Sequence, residues 1–194
     1  MPKISAATVA EHRAAQRAAL LTATERLLEE GGLAGVTPRS VAERAGLARS
    51  SFYEYFASRD DALTAVAIAA FERWSAEIDE TLSGVPATAR LRAYIEATMR
   101  MTADGKHGIA ATLQQAELSP SRHEDIMAMH TALLDPIAGL LREAGVRDAD
   151  SHAVLLQGLL NAGVQLVTHG VSPDATSAMI TDLLEKGLPA DSSI

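Results

Sequence analysis

The sequence predicts an all-α protein of about nine helices, with three closely spaced helices in the N-terminal third and a larger helical part after them. Apolar residues make up 47% of the chain but aromatic residues only 4%, so the core consists mainly of aliphatic side chains, which suit helices. Apolar positions recur at helical spacing, and Ser, Thr, Pro and Gly stand where helices begin and end. No segment shows the alternating pattern of a strand.

The first helix is predicted over residues 8–30. Thr8 and Glu11 stand three positions apart, as in a capping box, where each side chain bonds a free backbone group at the start of a helix. Gly31 and Gly32 are expected to end this helix, because glycine readily adopts the conformation that closes one.

The second and third helices are predicted to form a tight pair. Thr37 serves as N-cap and Pro38 as the first helical residue, where its missing N–H costs nothing, and the helix runs to about Ala45. Gly46 turns the chain, and the third helix covers residues 49–56. Such a pair backed by a first helix is a helix-turn-helix unit. Its expected core consists of Val41, Ala45, Leu47, Phe52 and Phe56.

The rest of the chain is predicted to be helical, with capping residues and prolines at the boundaries. Ser58 begins the fourth helix and Pro86 follows its end. Pro136 is expected to kink one of the later helices. The predicted helices are 58–82, 87–102, 109–116, a long one opened by Ser119 and Pro120, 148–168 and 173–186.

Charge divides the chain into two parts. Residues 1–60 carry eight Lys and Arg against seven Asp and Glu, whereas residues 61–194 carry nine against eighteen. The N-terminal part can therefore present a basic face to phosphate although the net charge is −8.

Absence of cysteine excludes disulfides and cysteine nucleophiles. No secretion signal precedes the first helix and the longest apolar segment, 153–167, is too short to span a membrane, so we expect a soluble cytoplasmic protein.

Several polar side chains of the helix-turn-helix unit are expected to point outward. Arg matches the acceptor pair of guanine, Ser bonds base edges or phosphates, and the Tyr hydroxyl stands at the end of a rigid arm. These are the residue types that a recognition helix needs in the major groove. The outward set is Arg39, Arg49, Ser50, Ser51, Tyr53 and Tyr55.

From about Arg17 to Leu63 the chain resembles the DNA-binding domain of the TetR family of regulators. Three positions depart from the family pattern: Ala48 replaces a capping Ser, Ser50 replaces a frequent Gly, and Glu54 adds a negative charge, which we expect to face solvent. The matching residues are Leu20, Leu21, Leu27, Leu28, Gly32, Val41, Ala42, the turn Ala45–Leu47, the run Phe52–Phe56 and Ser58–Asp60.

The resemblance implies a dimeric repressor that binds a palindromic operator, with a DNA-binding domain over residues 1–57 and a ligand-binding and dimerisation domain over 58–194. It implies base contacts by Arg39, Arg49, Ser50 and Ser51. Phosphate contacts are implied for Thr37, Tyr53, Tyr55 and Arg59. Lys3, Arg13 and Arg17 are candidates for further contacts to the DNA backbone or minor groove.

The helix predicted over residues 148–168 is the best candidate for a dimer interface, because it is apolar on nearly every side. Gly158, Ala162 and Gly163 would let a partner helix approach closely. Together with the last helix it can form an intermolecular four-helix bundle, and the resemblance implies the same two helices. The predicted interface consists of Leu155, Gly158, Leu159, Ala162, Leu166, Met179 and Leu183.

A polar stripe, Gln157, Asn161, Gln165 and His169, runs along the same helix at intervals of four. It is either a solvent-facing edge or amide ladder at the dimer seam, or part of the lining of a ligand cavity. The resemblance implies a small-molecule inducer, and the composition favours a largely apolar one. The candidate lining consists of Phe71, Trp74, Tyr94, Met99, Met101, Leu113, Gln114, Met127, His130, Asn161 and Gln165.

Two alternatives stay open at this point. Ala48 and Glu54 would suit a helical interaction protein that has lost DNA binding. His123 and His130 stand seven apart near Glu124 and would suit a metal-binding protein. The sequence carries no nucleotide-binding or serine-hydrolase motif, so we expect neither an enzyme nor a cofactor.

Overall fold

The structure, a computed structural model, describes residues 6–105 and 134–187. These two ranges contain eight α-helices and no strand, which confirms the all-α prediction. The predicted helix 109–116 and the start of the next helix lie outside the described residues. The helices are α1 (Ala6–Gly35), α2 (Pro38–Arg44), α3 (Arg49–Tyr55), α4 (Arg59–Leu82), α5 (Ala87–Ala103), α6 (Leu134–Glu143), α7 (Ala149–Thr168) and α8 (Pro173–Lys186).

Helix α1 differs from its prediction at both ends. It already includes Ala6, so Thr8 lies inside the helix and is not its N-cap. Gly32 breaks the helical geometry, with φ 59° and ψ −160°, but a further helical turn follows to Gly35. The sequence located the break correctly, because only glycine adopts this conformation at low cost. It did not reveal that the chain would resume a helical turn before α2.

The turn between α2 and α3 forms as predicted. Gly46 has a φ of 71°, and its amide donates to the carbonyl of Glu43 over 3.2 Å. The amide of Leu47 donates to the carbonyl of Ala42 over 2.9 Å. These two bonds make a Schellman motif, which satisfies the last carbonyls of α2 and sends the chain into α3.

The described chain divides into two compact units, residues 6–70 and residues 71–105 with 134–187. The division falls inside α4, whereas the predicted boundary at residue 57, which follows sequence motifs, stays a prediction. In the first unit, Leu20, Val41, Phe52 and Leu63 are fully buried and give α1 to α4 a common core. Apolar positions on all four helices therefore fix the position of α3.

The second unit is built around α5, which packs on α7 and α8, while α6 packs on α7. Gly163 of α7 lies where the three helices α5, α7 and α8 meet. A Cβ atom there would stand 2.9 Å from Met99 Sδ and 2.8 Å from Ile180 Cδ1. The close approach expected of Gly163 is therefore made to helices of its own chain and not to a partner helix.

Candidate functional site

The N-terminus of α2 is held by a complete capping box. The Ser40 amide donates to Thr37 Oγ1 over 3.0 Å, and the Thr37 amide donates to Ser40 Oγ over 2.9 Å. Ser40 Oγ lies 2.8 Å from the carbonyl oxygen of Gly35, and donates there. The N-cap prediction for Thr37 is confirmed, while Ser40 was missed because the usual box residue at that position is Glu or Gln.

Helix α3 is anchored by two phenylalanines and lacks a side-chain cap. Phe52 is fully buried and its ring centroid lies 5.5 Å from that of Phe56, which is 4% exposed. Ala48 occupies the N-cap position and makes no side-chain hydrogen bond there. The amide of Ser51 donates to the Ala48 carbonyl over 2.9 Å. The packing of Phe52 and Phe56, and not a side-chain cap, therefore holds α3 in position.

The exposed face of α3 carries side chains that suit base and phosphate contacts. Arg49, Ser50 and Tyr53 are exposed, and Arg49 and Tyr53 share one helix face because they are four residues apart. The Tyr53 ring is 49% exposed and rests edge-on against Phe52, with centroids 5.4 Å apart. Ser51 is half-buried, and Glu54 is exposed as expected. This face of α3 is therefore polar and exposed, and the contact of Tyr53 with the buried Phe52 connects it to the core.

Arg39 extends this surface from α2. Its Nε donates to Glu43 Oε1 over 2.8 Å, and both side chains are largely exposed. An exposed pair of this kind contributes little stability, but it restricts the directions in which the guanidinium group points. Its base contact stays a prediction.

Two of the side chains with predicted phosphate contacts bond groups inside the unit, and their phosphate contacts stay predictions. Tyr55 donates from its hydroxyl to Gln16 Oε1 over 2.7 Å. Arg59 donates from Nε to the carbonyl of Val36 over 2.9 Å and from Nη2 to that of Leu33 over 2.6 Å. Both side chains are half-buried. The structure therefore gives Arg59 a role inside the unit, because it lies at the start of α4 within reach of the α1–α2 connection.

An ion pair between α1 and α2 was also not predicted from the sequence. Arg44 donates from Nη1 and Nη2 to the two carboxylate oxygens of Glu30, over 2.8 and 2.6 Å. This ion pair holds the pKa of Glu30 below its usual range. No helical spacing relates residues fourteen apart on different helices, so no local pattern could have indicated this pair.

Most of the predicted dimer residues are exposed on α7 and α8 of the second unit. Leu155 is 67% and Met179 58% exposed, and they stand on the sides of α7 and α8 away from the core. Leu166, Gly158 and Ala162 are also exposed, and Leu159 and Leu183 are half-buried. We call this set the α7–α8 apolar face: Leu155, Gly158, Leu159, Ala162, Leu166, Met179 and Leu183.

The predicted ligand residues are only partly brought together. Phe71 stacks on Trp74 with centroids 6.1 Å apart, and Trp74 meets Tyr94 edge-on at 6.0 Å. Tyr94 is buried in the core, as is Met99, and burial raises the pKa of the Tyr94 hydroxyl. We call Phe71, Trp74 and Tyr94 the aromatic cluster.

The polar stripe does not join this cluster. Asn161 and Gln165 are exposed on α7, and Gln157 Nε2 donates to Asn161 Oδ1 over 3.0 Å. This placement suits either a solvent-facing edge or an amide ladder at the dimer seam. The candidates Leu113, Gln114, Met127 and His130 lie outside the described residues, as does His123.

Neither a metal cluster nor a membrane-spanning helix occurs in the described ranges. Within residues 6–105 and 134–187, no three His, Asp or Glu side chains are grouped so as to hold a metal ion. In the same ranges, no helix combines the length and apolar character that crossing a bilayer requires.

Residues 20–66 match the family model for bacterial regulatory proteins of the tetR family. No curated protein matches the chain. Solved structures, by contrast, match across both units, although at low sequence identity.

The fatty acid degradation regulator FadR from Bacillus halodurans is 19% identical with a TM-score of 0.73, covering 91% of this chain and 97% of its own. A transcriptional regulator from Rhodococcus sp. Rha1 is 18% identical with a TM-score of 0.73, covering 90% and 99%. The TetR family transcriptional regulator PfmR from Thermus thermophilus is 20% identical with a TM-score of 0.68, covering 88% and 99%. Residues 20–66 are therefore similar to the tetR family of bacterial regulatory proteins, and the chain shares the all-helical fold of these solved regulators.

Proposed function

We propose that the protein is a dimeric transcriptional repressor of the bacterial cytoplasm that binds a palindromic operator and is released from it by a small, largely apolar effector. The observation that carries the proposal is the distribution of exposed and buried side chains on α3. Its side chains Arg49, Ser50 and Tyr53 are exposed, while Phe52 is fully buried. Groups that contact bases must be held at fixed positions, and the buried Phe52 provides that rigidity.

The dimensions of α3 suit the major groove. An α-helix such as α3 is about 10 to 12 Å across with its side chains, and the groove is about 12 Å wide. Arg49 at its start can donate two bonds to guanine, and Ser50 can bond either a base edge or a phosphate. Tyr53 places its hydroxyl one turn further along. Arg39 on α2 adds a second guanidinium group to the same set.

The α7–α8 apolar face supports dimerisation. One helix-turn-helix unit reads only a few base pairs, and specificity comes from two units about one DNA turn apart. Contiguous exposed apolar surface marks an interaction site. Leu155 and Leu166 stand on the same side of α7, with Gly158 and Ala162 between them, so a second copy related by a twofold axis can approach closely there.

The aromatic cluster supports an apolar effector. Its rings lie in the second unit, and Trp74 is half-buried between Phe71 and Tyr94. Stacked and edge-on rings provide apolar surface with few polar groups, which suits an aliphatic ligand. One solved structure with this fold is named as a regulator of fatty acid degradation, which agrees with such a ligand class.

Selection of bound sequences from random duplex DNA tests the DNA-binding part of the proposal. We expect a palindromic sequence to be enriched by the full chain. Arg49→Ala should weaken binding to that sequence about 5- to 150-fold, the range for loss of one bidentate base contact. Arg26→Ala, an exposed Arg on α1, is the matched control and should bind as the unaltered protein does. Enrichment of no sequence would contradict the proposal.

The single tryptophan allows effector binding to be measured directly. Candidate long-chain acyl compounds should change the emission of Trp74 and release the operator over the same concentration range. Release of the operator without any change in emission would place the effector site elsewhere.

A further inference from the structure

The N-terminal part of α1 lies outside the matched family segment, which begins at residue 20. Residues 8–15 are all exposed, so this part of the helix makes little contribution to the core. It carries two arginines, Arg13 and Arg17, four residues apart and therefore on one face. An exposed helical extension with two aligned cations calls for an explanation beyond packing.

Contacts with the end of α3 hold this face in place. The guanidinium carbon of Arg13 lies 5.6 Å from the centroid of the Tyr55 ring, and that of Arg17 lies 5.8 Å from the centroid of Phe56. Both distances are within the range of cation–π attraction. Between them, Gln16 Oε1 accepts the hydroxyl proton of Tyr55. We call Arg13, Gln16 and Arg17 the α1 edge.

The two cations of the α1 edge are not neutralised. In the described parts of the chain neither Arg13 nor Arg17 forms an ion pair, and both are exposed. Arg39 and Arg44 in the same unit, by contrast, each pair with a glutamate. Glu11 is two residues from Arg13, which is about 200° around the helix, so its charge lies on another face. The ring contacts orient the guanidinium groups and leave their positive charge in place.

The position of the α1 edge indicates what binds it. In helix-turn-helix proteins the N-terminal residues of the recognition helix contact base edges in the major groove, so residues at the C-terminal end of α3 lie toward one of the phosphate backbones that border the groove. Tyr55 is the last residue of α3, and Arg13 and Arg17 lie against it and Phe56. We propose that the α1 edge binds phosphates of the DNA backbone beside the bases that α3 contacts, and adds affinity without sequence preference. This inference rests on the proposed DNA-binding function.

Salt dependence of operator affinity tests the inference. Arg13→Gln with Arg17→Gln removes both charges and keeps much of the side-chain length. The slope of log affinity against log salt should fall by about 0.9 for each lost phosphate contact, hence by about 1.8 for each bound protomer. The sequence selected from random DNA should stay the same. Arg13→Lys with Arg17→Lys should restore most of the slope, because charge and reach are kept.

Arg26→Gln is the matched control, because it removes one exposed arginine from another face of α1 and should leave the slope unchanged. Thermal unfolding of each variant shows that the effect does not come from loss of fold. A double variant that folds, selects the same operator and keeps the full slope would overturn the inference and leave the proposed function intact. Failure of the unaltered chain to enrich any sequence would instead overturn the proposed function.

Discussion

The guanidinium group of Arg59, the first residue of α4, donates a hydrogen bond to the carbonyl of Val36, just before α2. A second bond reaches the carbonyl of Leu33. One side chain thus bonds one carbonyl in the last turn of α1 and one in the α1–α2 connection, and fixes the start of α4 against both. The N-cap Thr37 follows Val36 directly, so the position of α2 depends on this contact.

Arg59→Met should lower the free energy of unfolding by about 1 to 3 kcal/mol, because two hydrogen bonds from a charged, half-buried donor are lost. Operator affinity should fall with no change in its salt dependence, since the side chain acts on the protein and not on phosphate. Chemical denaturation and binding titrations at several salt concentrations check both statements. If Arg59→Met instead reduced the slope of log affinity against log salt and left stability unaltered, the result would support the predicted phosphate contact of Arg59.

Ala48→Ser should stabilise the protein by about 0.5 to 2 kcal/mol, because α3 has no side-chain cap and Ser supplies one. The measurement is thermal or chemical unfolding of the full chain. Ala57→Ser is the control, since Ala57 is exposed and lies outside α3. Equal unfolding midpoints for Ala48→Ser and the unaltered protein would show that packing of Phe52 alone determines the stability of α3.

Ala162→Glu should convert the protein to a monomer, because a charge in the middle of the α7–α8 apolar face cannot be buried against a second copy without a large desolvation cost. Sedimentation at micromolar concentration checks this. Ala76→Glu makes the same change at an exposed helical position of the same unit and should leave the dimer intact. A monomeric unaltered protein would contradict the predicted interface.

Gly163→Ala and Gly158→Ala should differ in stability although both lie in α7. Replacing glycine inside a helix gains up to about 1 kcal/mol in each case. A Cβ at position 163 meets Met99 and Ile180 below 3.0 Å, whereas at position 158 it meets nothing within 4 Å of the described chain. Gly163→Ala should therefore be less stable than Gly158→Ala by about 1 to 3 kcal/mol, measured by denaturation at equal protein concentration. Equal stabilities would mean that Met99 and Ile180 move aside freely.

Much of the N-terminal unit was predictable because its signals are local. Gly46, Thr37 and Pro38 act on their own backbone or on that of their neighbours, and the spacing of Val41 and Phe52 sets one buried face. The exposed apolar residues of α7 and α8 were predictable for a similar reason, since helical periodicity places Leu155 and Leu166 on one side. The sequence by itself therefore determined the helical class, the α2–α3 pair with its turn and the candidate dimer face.

Only the tertiary structure decided which side chains serve contacts within the chain. Arg59 and Tyr55 carry the same chemical groups as Arg49 and Tyr53, yet the first two bond Val36 and Gln16 while the other two are exposed. The physical reason is that such partners come from distant parts of the chain, at separations of 23 and 39 residues, which no local periodicity encodes. A donor's partner depends on how the helices pack, and that packing exists only once the core has formed.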